Sequence, residues 1–303
     1  MSFLYLLEKI RLPGLNELML LVTRLGEETA FLVIALIVYW CVDKKKGYFV
    51  LSVGLLGTMA NQFLKLLCRV PRPWVLDENF TILEAAREAA SGYSFPSGHT
   101  QSAVGTFGCL AATTDKKWWR VICILIAILV PFSRMYVGVH TPQDVLVGAA
   151  MAVALILLLK KPVYRDDVKT MKLLIAFMIA CSIAFALWVE LSSFPADMDQ
   201  DNLASGQKNA YTLLGCMAGV AIVYTADRKW LHFPVEAVWW VQILKILVGL
   251  SLVLLVKSGL KAPLELLFGG HMAARAVRYF LIVVTAGVIW PMSFHKLSQI
   301  GKK

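Results

Sequence analysis

The feature that most constrains this chain is its series of apolar runs, each close to the length that crosses a bilayer. They cover roughly residues 28–42, 47–66, 98–114, 118–135, 143–160, 171–192, 209–226, 237–257 and 272–293. A lipid interior offers no water to unpaired amides and carbonyls, and a helix satisfies its backbone within one segment. About 20 helical residues cross the hydrocarbon, so the shorter runs borrow from flanking polar sequence. No strand-like alternation of the membrane-barrel kind is present. With 58% of its 303 residues hydrophobic and 17% charged, the chain lies far from a soluble composition. The expected fold class is all-α: a polytopic helical membrane protein with about nine transmembrane helices.

The stretch LNELMLLVTRLG at 15–26 is apolar but short, and it carries Glu17 and Arg24. It reads as an interfacial helix within an N-terminal segment, residues 1–27. The formal net charge is +10, which in a soluble protein would raise nucleic acid as a partner. Here the basic residues punctuate the apolar runs, as at Lys44 to Lys46, Lys160 with Lys161, and Lys302 with Lys303. That is the pattern of topology anchors, and no nucleic-acid partner is expected. Lys116, Lys117, Arg120, Arg165, Lys169, Lys172, Arg228 and Lys229 fall on the same side as those clusters. That side should be cytoplasmic, with the C-terminus. The N-terminus, the loop 67–97, the turn 136–142 and the acidic stretch Asp197 to Asp201 fall on the other. The expected location is the cell membrane, or the endoplasmic reticulum with its lumen as the outer side in a eukaryote. Within the loop, TILEAAREAA at 81–90 is expected to form a short helix.

Three stretches gather charge on that outer side: KLLCRVPRP with Lys65 and Arg72, PSGH at 96–99, and SRMYVGVHTPQD with Arg134, His140 and Asp144. Cations at membrane depth are costly unless paired or hydrated. Grouped cations call for an anion, and phosphate is the natural one. Ser97 sits where a helix begins, and the first amides and the dipole of a helix favour an anion. Gly98 would let that backbone approach closely. Taken alone, the same residues read equally well as a capped helix. Thr141 followed by Pro142 fits an N-cap and first-turn proline. Asp144 then either closes a capping box or holds Nδ1 of His140 so that Nε2 faces a substrate. Lys65 and Arg72 taken alone could be snorkelling anchors, and Trp74 could line a substrate entrance.

Together, K-x6-RP, PSGH and SR-x5-H-x3-D resemble the motifs of the type 2 phosphatidic acid phosphatase superfamily. The resemblance is close over about residues 60–150. The nine-span plan is similar to the glucose-6-phosphatase branch. The resemblance implies a six-helix-type phosphatase core within residues 28–162, with 163–303 packing on and completing it. It implies that Lys65, Arg72, Arg134, Ser97 and the Gly98 amide bind phosphate. His140 would attack phosphorus and form a phosphohistidine, Asp144 would orient it, and His99 would protonate the leaving oxygen and then activate water. The function it implies is hydrolysis of a lipid phosphomonoester or pyrophosphate at the extracytoplasmic face. A sugar phosphatase of the glucose-6-phosphatase type and a non-catalytic lipid binder or transporter are the alternatives. Fixed cations can serve phosphoryl transfer, so no metal or cofactor is expected. The expected partners are membrane lipid and a phosphorylated lipid or sugar; oligomeric state is not legible. The last 140 or so residues carry no assignable motif, and Lys245 there is expected to snorkel to the inner interface.

Overall fold

The computed structural model describes residues 1–165, 167–195 and 198–301. Asp197, Lys302 and Lys303 lie outside the described residues. Every regular element among the described residues is helical. In chain order these are α1 (Ser2–Lys9), α2 (Pro13–Arg24), α3 (Glu28–Cys41), α4 (Lys44–Cys68) and the short α5 (Pro73–Leu76). Then come α6 (Gly98–Thr113), α7 (Lys117–Tyr136), α8 (Pro142–Tyr164), α9 (Val168–Leu191) and α10 (Gln200–Ala226). The last are α11 (Trp239–Gly259), α12 (Lys261–Leu267), α13 (Ala273–Val284) and α14 (Phe294–Leu297).

Seven helical segments among the described residues are long and apolar enough to cross a membrane. The expected runs at 28–42 and 98–114 are also helical, as α3 and α6, but have only 14 and 16 residues. Leu157, Leu158, Leu173 and Leu191 turn outward, each at least 68% exposed. Such apolar faces on long helices fit lipid as the solvent, and the chain is a multi-pass membrane protein.

The chain divides into two compact units. The first comprises residues 1–34, 49–161 and 195–206; the second comprises 35–48, 162–194 and 207–303. In the first unit, Ala103, Phe107 and Ala111 of α6 pack with Cys123 and Val130 of α7. Small residues let neighbouring helices approach closely. A second cluster joins Met19 of α2 to Ala86, Ala90, Tyr136, Val137 and Val139. This cluster explains why the expected helix over 81–90 is reduced to a single 3-10 turn, Glu84–Ala86. The Leu83 amide donates to the Val137 carbonyl at 3.1 Å, and Ala86 and Ala90 are buried. Tertiary contacts override the helix propensity of alanine there.

In the second unit, Trp40 donates its indole N–H to the Ala286 carbonyl at 2.8 Å. Lys245 departs from expectation, because it is fully buried and does not snorkel. Its Nζ donates to the Val235 and Pro234 carbonyls at 3.0 and 3.4 Å and lies 4.5 Å from the Phe294 ring centroid. The segment after His232 offers the carbonyls, and Phe294 of α14 the ring face, that stand in for water.

Candidate active site

Helix α4 carries Lys65 in its last turn, and Lys65 is buried. Beyond Cys68 the chain reverses at Arg69, whose φ of +51° is uncommon for a non-glycine residue. Arg72 follows as the N-cap of α5. The loop at 91–93 then folds onto both cations. Lys65 Nζ donates to the Tyr93 carbonyl. Arg72 donates to the carbonyls of Gly92, Ser91 and Val139 at 2.9, 2.8 and 3.0 Å, and its Nη1 lies 3.0 Å from His140 Nε2. These carbonyls hold the two cations in place.

Ser97 caps α6, its Oγ accepting from the Thr100 amide at 3.4 Å. The Ser97 amide donates to the Asp144 carbonyl at 3.0 Å. Gly98 opens the helix, and a Cβ there would lie 3.4 Å from Asn61 Oδ1. Asn61 Nδ2 donates to the Pro96 carbonyl at 3.2 Å. The turn that presents His140 depends on Gly138, with φ of +89°. A side chain there would also meet Arg11 Nη2 at 2.8 Å, so glycine suits the position on two counts.

Of the two roles left open by its spacing, Asp144 fills the capping one, and it lies beside His140 without a hydrogen bond to it. Its Oδ2 accepts from the Thr141 amide at 2.7 Å, and its amide donates to Thr141 Oγ1 at 3.4 Å, completing a capping box. The same Oδ2 accepts from Ser94 Oγ at 2.6 Å and lies 3.4 Å from His140 Nδ1. That last approach lacks hydrogen-bond geometry, since Nδ1 is buried without a hydrogen-bond partner. Arg72 has no lone pair to offer, so His140 Nε2 is the acceptor in their contact. The neutral ring therefore carries its proton on Nδ1, towards Asp144, and its lone pair on Nε2. Burial, followed by Arg72, Arg134 and Lys65, holds the His140 pKa well below the ordinary 6.5.

Arg134 is fully buried near the end of α7. Its Nη1 donates to Thr23 Oγ1 at 2.7 Å, while Nε and Nη2 are buried without a partner. His99 Nε2 is likewise buried and unpartnered. Arg134, His140, Arg72 and Lys65 all act electrostatically on the His99 ring. All eight site residues expected from the sequence thus fall within the first unit. An open cleft of about 540 Å³ in the same unit reaches Arg72 and Tyr93, with Arg69, Asp199 and Asn202 on its wall. Trp74 is not part of that wall. It packs on the cluster around Met19, with the guanidinium carbons of Arg72 and Arg87 at 5.9 and 5.1 Å from its ring centroid.

Three participants escaped the sequence reading: Thr23, Asn61 and Ser94. Asn61 is one helical turn before Lys65 on α4, a polar pair on one face of an apolar helix, and that signal was available. Ser94 and Thr23 meet partners 50 and 111 residues away, which no local pattern encodes.

The site also depends on Gly148 of α8, where a Cβ would lie 2.6 Å from the Ser97 carbonyl oxygen. Backbone cannot yield as a flexible side chain can. Gly148→Ala is expected to lower stability by about 1–3 kcal/mol and to reduce turnover by displacing Ser97. Thermal unfolding and activity measured on one preparation check this; an unchanged melting temperature and rate would contradict it.

Comparison with known proteins gives two family matches. Residues 45–166 match the model described as PAP2 superfamily. Residues 211–302 match PAP2 superfamily phosphatase, transmembrane extension, in the region where sequence reading found no motif. The chain is similar to an undecaprenyl-diphosphatase of Sulfolobus acidocaldarius, 30% identical over 46% of this chain and 66% of the relative. It is similar to phosphatidylglycerophosphatase B of Bacillus subtilis, 31% identical over 50% of this chain and 76% of the relative. It is also similar to human sphingosine-1-phosphate phosphatase 2, 25% identical over 46% of this chain and 35% of the relative. No solved structure matches.

Proposed function

Because the chain belongs to the PAP2 superfamily, we propose that it is an integral membrane phosphatase acting on a lipid phosphomonoester or pyrophosphate at the extracytoplasmic face. The observation that carries this reading is the set of buried polar atoms left without partners, the donors Nε and Nη2 of Arg134 and the ring nitrogen Nε2 of His99. Buried polar groups in folded proteins are almost always satisfied. Phosphate oxygens would satisfy these, beside two further cations already held in place. The Lys/Arg distribution supports the outer face for the site.

In the first step the substrate phosphate takes the Arg72 and Arg134 donors, which frees Nε2 of His140 from its contact with Arg72. The Nε2 lone pair attacks phosphorus as the bond to the leaving oxygen breaks, and His99, charged as the imidazolium once the anionic phosphate has entered beside it, gives that oxygen its proton and becomes neutral. The positive charge that develops on His140 is met by Asp144. In the second step His99 takes a proton from water, whose oxygen attacks phosphorus and breaks the N–P bond. Inorganic phosphate leaves, and both histidines return to their starting states. Lys65, Arg72 and Arg134 neutralise the phosphoryl oxygens throughout, the main demand of this chemistry.

The test is phosphate release by purified protein with chelator present. The panel is a polyprenyl pyrophosphate, phosphatidic acid, a sphingoid phosphate and glucose 6-phosphate. Release from at least one lipid is expected, with labelled phosphohistidine trapped by acid-free quench. Release from glucose 6-phosphate alone would move the substrate to a sugar. No release and no labelled enzyme would remove the reading. Because His140 stays neutral below the ordinary histidine value of 6.5, the acid limb of kcat/KM arising from the nucleophile should also lie below that pH. A nucleophile that lost activity at or above pH 6.5 would contradict the proposed electrostatics.

A further inference from the structure

Two arginines stand in the first two turns of α13, outside the phosphatase motifs: Arg275 and Arg278. Three residues apart on one helix, they are neighbours on its surface. Their guanidinium carbons lie 5.3 and 5.6 Å from the ring centroid of Tyr279. The helix belongs to a segment long and apolar enough to cross a membrane, Ala273–Leu297. Arg278 is placed about 8 Å along its axis, and arginine within a spanning segment is costly unless something pairs with it.

The protein supplies only part of that pairing. Gly215 lets α10 and α13 come close, because a Cβ there would collide with the Ala276 carbonyl oxygen. Thr212, just before it on α10, accepts from Arg275 Nε at 2.6 Å. That bond fixes Arg275 and leaves its Nη groups for another acceptor. Arg278 is 7% exposed, and its Nε is buried with no hydrogen-bond partner. Snorkelling does not resolve this, since Nε stays buried. Among the described residues no carboxylate pairs with either arginine. Glu190, at the end of α9, is engaged by the Tyr211 hydroxyl. The Tyr279 ring attracts the cations but offers no oxygen lone pair along their N–H bonds. A buried donor without an acceptor is costly, and two neighbouring cations add their mutual repulsion.

We infer that Arg275 and Arg278 bind a phosphate group at the membrane interface beside α13, at a site that contains none of the catalytic motif residues. Guanidinium groups present paired N–H donors that match phosphate oxygens, and one phosphate has oxygens enough for both arginines. Either a phospholipid headgroup or free phosphate could supply it. The first turns of a spanning helix lie at headgroup level, and basic sites between membrane helices are suited to such headgroups.

The experiment uses the full chain in micelles carrying phosphatidylglycerol, with diacylglycerol, which lacks the phosphate, as the control. Phosphatidylglycerol is a phosphodiester, so it offers neither the monoester nor the pyrophosphate that the catalytic site would cleave. Retained lipid is counted by native mass spectrometry and its affinity measured by titration. Wild type and Arg134→Met should retain phosphatidylglycerol equally, which separates this site from the catalytic one. Arg275→Gln and Arg278→Gln should each weaken it about tenfold, the effect of one lost charge-assisted hydrogen bond. In lipid-free detergent Arg278→Gln should melt no lower than wild type, because an unpaired buried charge is gone. Added phosphatidylglycerol should then raise the melting temperature of wild type more than that of the variant. Displacement of the lipid by inorganic phosphate would name free phosphate as a sufficient ligand, and retention against it would name the headgroup; both keep phosphate at the arginines. Equal retention by the glutamine variants, loss in Arg134→Met, equal retention of diacylglycerol, or a lower melting temperature of Arg278→Gln without lipid would overturn the inference.

Discussion

His140→Ala should lose phosphate release by about 10⁴-fold or more, the scale seen when a nucleophile is removed from a concerted set. The substitution leaves Lys65, Arg72 and Arg134 in place, so substrate binding should survive while the covalent step does not. His140 is 1% exposed, yet alanine also removes the contact with Arg72 Nη1 at 3.0 Å. His140→Gln, which can keep an acceptor near that guanidinium, separates the chemistry from the packing and should be equally inactive. His99→Ala should behave differently. On an aryl phosphate, whose leaving group needs no acid, it should still form labelled phosphohistidine and then fail to release it. A His140→Ala enzyme that kept a tenth of wild-type turnover, or a His99→Ala enzyme that turned over normally, would remove these assignments. The first result would remove the nucleophile, and the second the acid and base.

The residues of this site were legible because their signals are local and chemically unusual. Arginine, histidine and aspartate at the ends of apolar runs are conspicuous, since lipid tolerates them poorly. Asp144 needed coordinates for a different reason. The capping box and the proposed orientation of His140 both require a carboxylate near Thr141, and spacing cannot say that one oxygen, Oδ2, approaches both partners. The helix at residues 2–9, the anchoring of Arg11 just beyond it and the contact of Thr23 were invisible, because they act across long separations. Arg11 Nε, for example, donates to the Tyr136 carbonyl at 3.0 Å, 125 residues away. Lys245 misled because snorkelling is the common fate of a lysine in a membrane helix. Only the folded path of the following segment reveals the carbonyls that meet it. Helix lengths follow the apolar runs closely, but α3 and α6 end where Cys41 and Thr113 stand, and their short length leaves seven segments of full span.

Arg134→Met should both silence the enzyme and stabilise it. Arg134 is a fully buried cation with one neutral partner, Thr23 Oγ1 at 2.7 Å, and with two donors unmet. Removing a charge from water costs several kcal/mol, and hydrophobic replacement of poorly compensated buried charge gains about 1–4 kcal/mol. Methionine has comparable length and adapts to irregular gaps. The melting temperature should therefore rise while phosphate release falls by about 10²-fold or more, the loss expected for a donor aimed at developing charge. Inorganic phosphate supplies the decisive contrast. In wild type it should raise the melting temperature as the anion satisfies Arg134, by an amount that grows with concentration above Kd. In Arg134→Met that dependence should be much weaker. If the variant is instead destabilised and wild type is indifferent to phosphate, Arg134 is a structural anchor for Thr23. If the variant is stabilised but phosphate acts on both proteins alike, the unmet donors do not form the anion site. Only the paired result, higher intrinsic stability with weakened phosphate response, ties the cost of burying this cation to the phosphate it is held there to meet.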